Sequence, residues 1–212
     1  MDKKKIIGFY DYTVVLTYLG MALSFFGIAK IINGEYARSI IYLMGAGVCD
    51  MFDGAVASTK ERNCYEKHFG IQIDSLCDLV SFGVLPAILT YVITGKSRIA
   101  AVLTCIYVLC GLIRLAYFNV QEFERQKVTD ERRDVYLGVP ITTSALVMPF
   151  TFLLYDKVSA IGTGIFLVAT VVLAIGFITG VEIKKPGMIG KIILIIVGIA
   201  ELVGMYLVLG QM

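Results

Sequence analysis

Seven predominantly apolar stretches, each close to the roughly 20 residues that a bilayer-spanning helix needs, recur along the chain. They run from Thr13 to Ile32, Tyr36 to Ala57, Ile71 to Thr94, Arg98 to Val120, Leu137 to Tyr155, Val158 to Gly180 and Met188 to Leu209. The connections between them are short, apart from the charged run Gln121 to Tyr136. Hydrophobic residues make up 58% of the chain and charged ones 17%, with a mean hydropathy of +0.80. A soluble core of this length cannot hide that much apolar surface, so lipid must cover much of it. The pattern predicts an all-α integral membrane protein, with about seven transmembrane helices in one bundle and no second domain.

The basic residues set the expected orientation. With the N-terminus in the cytoplasm, Lys3, Lys4, Lys5, Lys60, Arg62, Lys67, Arg125, Lys127, Arg132, Arg133, Lys184, Lys185 and Lys191 fall on the inner side. Lys30, Arg38, Lys96, Arg98 and Lys157 fall on the outer side, and Arg114 sits within a helix. Thirteen of the 19 Lys and Arg residues inside against five outside predicts a cytoplasmic N-terminus. The start of the chain has no short apolar core ending in a small-residue cleavage site, so it reads as retained rather than as a signal peptide. A net charge of +2 gives no reason to expect nucleic acid as a partner. Cys49, Cys64, Cys77, Cys105 and Cys110 lack any C-x-x-C pair and read as small packing residues. Gly176 and Gly180 form a G-x-x-x-G that would allow close helix approach, and a homodimer is expected.

Stretches two and three break the membrane pattern. Asp50 and Asp53 stand three apart and Asp74 and Asp78 four apart, so each pair shares one helix face. Asp50 lies seven residues before Ala57, and Asp78 eight residues after Gly70. Antiparallel helices joined on the cytoplasmic side would bring both pairs to matching depth, within roughly 12 Å of the helix ends. Unpaired at the bilayer centre, four aspartates would cost on the order of 10 kcal/mol, less near the interface, and mutual repulsion adds to it. Divalent cations remove that penalty. A hard, all-oxygen donor set suits Mg²⁺, Mn²⁺ or Ca²⁺, and two such ions among four carboxylates match a site that clamps a transferring phosphoryl group.

The segment CDMFDGAVAS, a loop, then GIQIDSLCD resembles the signature of the CDP-alcohol phosphotransferase family, D-x-x-D-G-x-x-A-R followed by G-x-x-x-D-x-x-x-D. Asp50, Asp53, Gly54, Ala57, Gly70, Asp74 and Asp78 all match. Ser58 stands where the family usually has Arg, and the spacer Thr59 to Phe69 is longer than the common one. The resemblance implies one membrane domain over 1–212, with a six-helix core at about 13–180 and an extra C-terminal helix at about 188–209. It also implies that Asp50, Asp53, Asp74 and Asp78 hold two divalent ions, Mg²⁺ or Mn²⁺, with Asp78 acting besides as general base on the acceptor alcohol. Asp50, Asp53, Gly54, Ala57 and Gly70 would meet the CDP-lipid. In place of the missing guanidinium, Lys60 or Arg62 would reach the diphosphate.

Beyond the signature, DSLCDLVSFGVLPA, GLIRLAYFNV and YLGVPITTSALVMP resemble the phosphatidylserine synthase branch of that family. The implied substrates are CDP-diacylglycerol and L-serine, drawn from among membrane lipids and the cytoplasm, with the site near the cytoplasmic face. Arg114 and Asn119 are the candidate acceptor contacts. An Arg in an apolar run either meets an anionic substrate group or neutralises the aspartates. Gly138 and Pro140 are expected at the start of the fifth helix. His68, the one histidine, is expected exposed in a loop, and Glu201 is a lone carboxylate in the last stretch. The same family acting on another alcohol or on an archaeal CDP-lipid is the nearest rival, followed by a cation or proton transporter and by an inactive relative.

Overall fold

The computed structural model describes residues 7–128, 135–157, 162–184 and 187–210. Lys3, Lys4, Lys5, Arg132, Arg133 and Lys185 lie outside them, as do the side chains of Lys157 and Lys191.

Among the described residues seven helices follow one another. They are α1 (Val15–Ile32, entered through the 3-10 turn Tyr12–Val14), α2 (Tyr36–Ala57), α3 (Cys64–Ile93) and α4 (Arg98–Gln126). After them come α5 (Ser144–Lys157), α6 (Gly162–Ile178) and α7 (Met188–Leu209). Among the described residues five helices are long and apolar enough to cross a membrane, while Ile141–Tyr155 and Gly162–Ile178 are apolar but shorter. Large apolar side chains such as Phe25, Ile113, Val168 and Ile196 lie exposed along the helices, where only lipid can cover them. The chain is an integral membrane protein.

Small residues bring the helices together. A Cβ placed on Gly27 of α1 would come within 2.7 Å of Leu85, and one on Gly47 of α2 within 2.8 Å of the Ala145 Cβ. The core then fills with Ile40, Leu43, Phe82, Leu85, Leu89, Tyr107, Met148 and Phe166. α1 and α2 form the closest pair. α3 packs along its length on α1 and α4, while α5 sits between α2, α6 and α7. Gly176 is already in use inside the chain, because an added Cβ would meet Val139 at 2.9 Å. Of the G-x-x-x-G pair, Gly180 alone has open space beside it.

Several expected boundaries are corrected. α3 begins at Cys64 rather than Ile71, because Asn63 and Glu66 close a capping box that nucleates the helix in its polar stretch. Most of the expected spacer Thr59–Phe69 is thus helical, and His68 is half-buried on α3 with its ring 4.9 Å from Phe123, not exposed in a loop. α4 continues to Gln126 rather than Val120, its last turns laced by Glu122 with Arg125 and Gln126. The fifth helix starts not at Leu137 but at a 3-10 turn Ile141–Thr143 and then Ser144. Val135–Leu137 instead forms a strand, β1, paired antiparallel with β2 (Glu182–Lys184), Val135 opposite Lys184 and Leu137 opposite Glu182. Gly138 ends β1 at φ +70°, where a Cβ would lie 2.8–3.1 Å from the carbonyl oxygens of Gly176, Phe177 and Thr179. Only glycine fits that position. The sixth helix spans Gly162–Ile178, inside the expected Val158 to Gly180; residues 158–161 lie outside those described.

Candidate metal and nucleotide site

Helices α2 and α3 run antiparallel about the connection 58–63, and that geometry brings the acidic pairs together. Carboxylate oxygens of Asp50, Asp74 and Asp78 lie within 4.8 Å of one another, each residue half-buried. Asp53 is one turn, about 4.5 Å, further along α2, and stands apart from that tight group. Its Oδ2 accepts a hydrogen bond from Thr17 Oγ1 of α1 at 3.4 Å, and its side chain also lies within hydrogen-bonding reach of Asp74. The four carboxylates thus gather as expected, Asp50, Asp74 and Asp78 in the tight group and Asp53 reaching Asp74 from the next turn while it also engages Thr17 of α1. Thr17, buried and aimed at Asp53, had no signal in the sequence beyond being a polar residue in an apolar run.

Three carboxylates with oxygens within 4.8 Å of one another repel one another strongly in a membrane-embedded setting, and a hard divalent cation is the partner that such an oxygen set fits. Gly54, one residue past Asp53, has open space where a Cβ would be, so packing within the protein does not demand its small size. Ala57 ends α2, and Ser58 is exposed with its hydroxyl donated back to the Ala55 carbonyl at 2.7 Å.

The two candidates for the missing guanidinium occupy different places. Lys60 Nζ is held by Asp11 at 2.7 Å and by Glu66 at 3.8 Å. Its hydrogen bond to Asp11 raises the ammonium pKa, and the same bond, with a second from Thr13, draws the Asp11 carboxyl down to about 2. Tyr12 and Thr59 share a hydrogen bond at 3.1 Å, and the rings of Phe9 and Phe69 lie 5.5 Å apart, so residues 9–12 strap the α2–α3 connection. Arg62, by contrast, lays its Nη1 over Gly70, 2.9 Å from where a Cβ would stand.

The acceptor candidates divide as well. Asn119 Oδ1 accepts from Ser75 Oγ at 2.8 Å, and its Nδ2 donates to Gln72 at 3.4 Å, which ties α4 to the turn of α3 that carries Asp74. Arg114 is buried on α4 with its guanidinium 4.9 Å over the Phe118 ring. Glu201 is buried on α7, far along the chain from these groups, and its Oε2 has no hydrogen-bond partner among the described residues. All five cysteines are free.

A family model described as CDP-alcohol phosphatidyltransferase matches residues 13–181. A CDP-diacylglycerol–serine O-phosphatidyltransferase of Saccharomyces cerevisiae is 34% identical over 132 residues, 58% of this chain and 47% of that protein. An archaetidylserine synthase of Methanothermobacter thermautotrophicus is 32% identical over 180 residues, 84% of this chain and 72% of that protein. A CDP-diacylglycerol–serine O-phosphatidyltransferase of Helicobacter pylori is 30% identical over 148 residues, 69% of this chain and 57% of that protein. The chain thus spans about half the length of the yeast relative that it matches.

Proposed function

The chain belongs to the CDP-alcohol phosphatidyltransferase family, and from that premise we propose that it transfers the phosphatidyl group of CDP-diacylglycerol to the hydroxyl of L-serine, giving phosphatidylserine and CMP. The observation that carries the reading is the convergence of Asp50, Asp74 and Asp78 with Asp53 one turn away, in helices that otherwise bury apolar side chains. The relatives' names agree on serine as the acceptor.

In this reading Asp50, Asp53, Asp74 and Asp78 hold two divalent ions, Mg²⁺ or Mn²⁺. Ions there would neutralise charge on the diphosphate oxygens and hold the transferring phosphorus in line. The chain's own residues do the rest. The open space at Gly54 leaves room for the cytidine to lie against α2 beside Ala57, and Arg62, which covers Gly70, offers a guanidinium to the diphosphate. Lys60, engaged with Asp11 and Glu66, serves the strap instead. Asp78 takes the proton from the serine hydroxyl. The serine oxygen then forms its bond to the lipid-bearing phosphorus as the bond to the CMP oxygen breaks. Arg114 receives the serine carboxylate, and Asn119 keeps α3 and α4 in register beside it.

The same proposal places the N-terminus and the site on the cytoplasmic side, the catalytic core within about 13–180 with α7 as an addition, and two copies in a homodimer. An archaeal CDP-lipid as donor is a second reading, favoured by the archaetidylserine synthase that covers most of this chain. Purified protein given CDP-diacylglycerol, Mn²⁺ or Mg²⁺ and a panel of alcohols tests the proposal through CMP release. Serine-dependent CMP is the expected result. Release with glycerol phosphate or inositol phosphate instead would move the chain to another acceptor, and none at all with either donor lipid would sink the transferase reading.

A further inference from the structure

Directly after Asp78, α3 stops being an α-helix. Residues Leu79–Val84 form a π-helical turn, and Leu85 N–H reaches back five residues to the Val80 carbonyl. The α-helix resumes from Leu85 to Ile93. A π turn inserts extra backbone and is costly, so something must cause it and something must hold it. The cause is in the sequence. In an α-helix the carbonyl of Phe82 would receive the N–H of residue 86, and that residue is Pro86, which has no N–H and whose ring crowds the carbonyl four residues before it.

What holds the turn comes from two other helices. Tyr107 of α4 donates its hydroxyl to the Phe82 carbonyl at 2.6 Å, and the Ser144 hydroxyl at the start of α5 lies 3.1 Å from the same oxygen, its one proton shared with the Ile141 carbonyl at 2.9 Å. Phe82, Tyr107 and Ser144 are all essentially inaccessible. One residue earlier, Ser81 accepts a hydrogen bond from Ser24 of α1 at 2.7 Å. Hydroxyls from α1, α4 and α5 thus converge on two consecutive residues of the turn. Asp78 lies four residues from Phe82, about 6 Å along the axis, and a carboxylate at the end of a π turn changes its facing when the turn tightens to α.

We propose that Tyr107 and Ser144, acting through the Phe82 carbonyl, are positioning residues that lock the π turn and so set where the Asp78 carboxylate stands among Asp50 and Asp74. This deepens the transferase reading and rests on its assignment of Asp78 as the base. Neither side chain touches substrate.

The test compares wild type, Tyr107→Phe, Ser144→Ala and the double variant in detergent. Serine-dependent CMP release gives kcat and both KM values, a titration gives the Mn²⁺ half-saturation, and thermal unfolding gives stability. Tyr107→Phe loses only a hydroxyl, so it keeps the packing of the ring. The double variant should lose about 10- to 100-fold in kcat, as misplacement of a reacting group does, with both KM values within about threefold of wild type. Pro86→Ala is the complementary variant. It returns the missing N–H, lets the helix close as α, and should lower kcat while the thermal midpoint stays or rises. Wild-type kcat in the double variant or in Pro86→Ala overturns the proposal, as does a parallel fall of kcat, substrate affinity and thermal midpoint, which is what a merely structural role gives. Absence of CMP from the wild type would instead overturn the transferase reading, and the positioning role with it.

Discussion

Helices α2 and α7 are both 22 residues long, and both carry carboxylates within an apolar run, yet the two treat them in opposite ways. On α2, Asp50 meets Asp74 and Asp78 of the neighbouring helix, Asp53 is steadied by Thr17, and Gly54 leaves open space beside them. On α7, Glu201 is buried outside any acidic group found among the described residues, and one of its oxygens has no partner among them. The two burials differ in kind: on α2 mutual repulsion adds a cost that a bound cation would offset, and on α7 the cost is that of burying one carboxyl.

The largest expected effect comes from breaking the convergent side of this contrast. Asp50→Asn or Asp74→Asn should reduce metal-dependent CMP release by at least about 10³-fold, as loss of a charge-stabilising group at a transferring phosphoryl does. Thermal stability measured in metal-free buffer should hold or rise, since one repelling charge is gone. A fall in stability equal to the fall in activity would mean that the carboxylates hold the fold rather than a ligand.

Asp78→Asn should lower kcat by about 10²-fold, the share expected of a general base, while CDP-diacylglycerol binding survives, because the amide keeps an oxygen but cannot take a proton. Loss of lipid binding in step with turnover would make Asp78 a ligand alone.

Smaller still is the difference between the two loop cations. Arg62→Ala should raise the KM for CDP-diacylglycerol about tenfold, in the range for losing one charge-assisted contact. Lys60→Ala should leave that KM near wild type, because Lys60 is engaged with Asp11 and Glu66. The reverse ordering would reassign the diphosphate contact.

On the solitary side, Glu201→Met keeps the volume and removes the buried polar atoms. Turnover should stay within about twofold of wild type and the thermal midpoint should rise, since replacing an unsatisfied polar group by an apolar one is neutral or stabilising. A large loss of activity would erase the contrast between α2 and α7.

The weakest effect expected is the strap. Asp11 titrates at about 2 instead of 3.8 because Lys60 and Thr13 favour its charged form. A carboxyl with a depressed folded pKa stabilises the fold above its unfolded pKa and loses that contribution as the pH falls through the folded one. Asp11→Asn should thus melt slightly below wild type at neutral pH, and the gap should close between pH 3.8 and about 2. A gap independent of pH would remove the ion pair as its cause.

Particular residues show how far the sequence could be read. The facing of Asp50, Asp74 and Asp78 was legible because helical periodicity and mirrored spacing are local counts, and α2 came out with the expected ends. The resemblance carried by that same segment agrees with the family that the chain belongs to. The start of α3 was missed because hydropathy is blind to a polar helix nucleated by the Asn63–Glu66 cap. The strand Val135–Leu137 was missed because its partner, Glu182–Lys184, lies far along the chain. No local count separates Lys60 from Arg62, and Asp11, which holds Lys60, sits 49 residues from it.

The sequence by itself determined that this is a helical membrane protein with an acidic constellation fit for hard cations. Hydropathy over 20 residues and spacing over four are properties of contiguous chain, and the bilayer leaves a backbone little choice but helix. Tertiary structure alone decided which hydroxyls steady the site and how the helix is built beneath Asp78. Pro86 announces a broken ladder, but only folding brings Tyr107 and Ser144 to the carbonyl it leaves behind. Satisfaction of a buried polar group depends on which helices pack around it, and that is written in no single stretch of the chain.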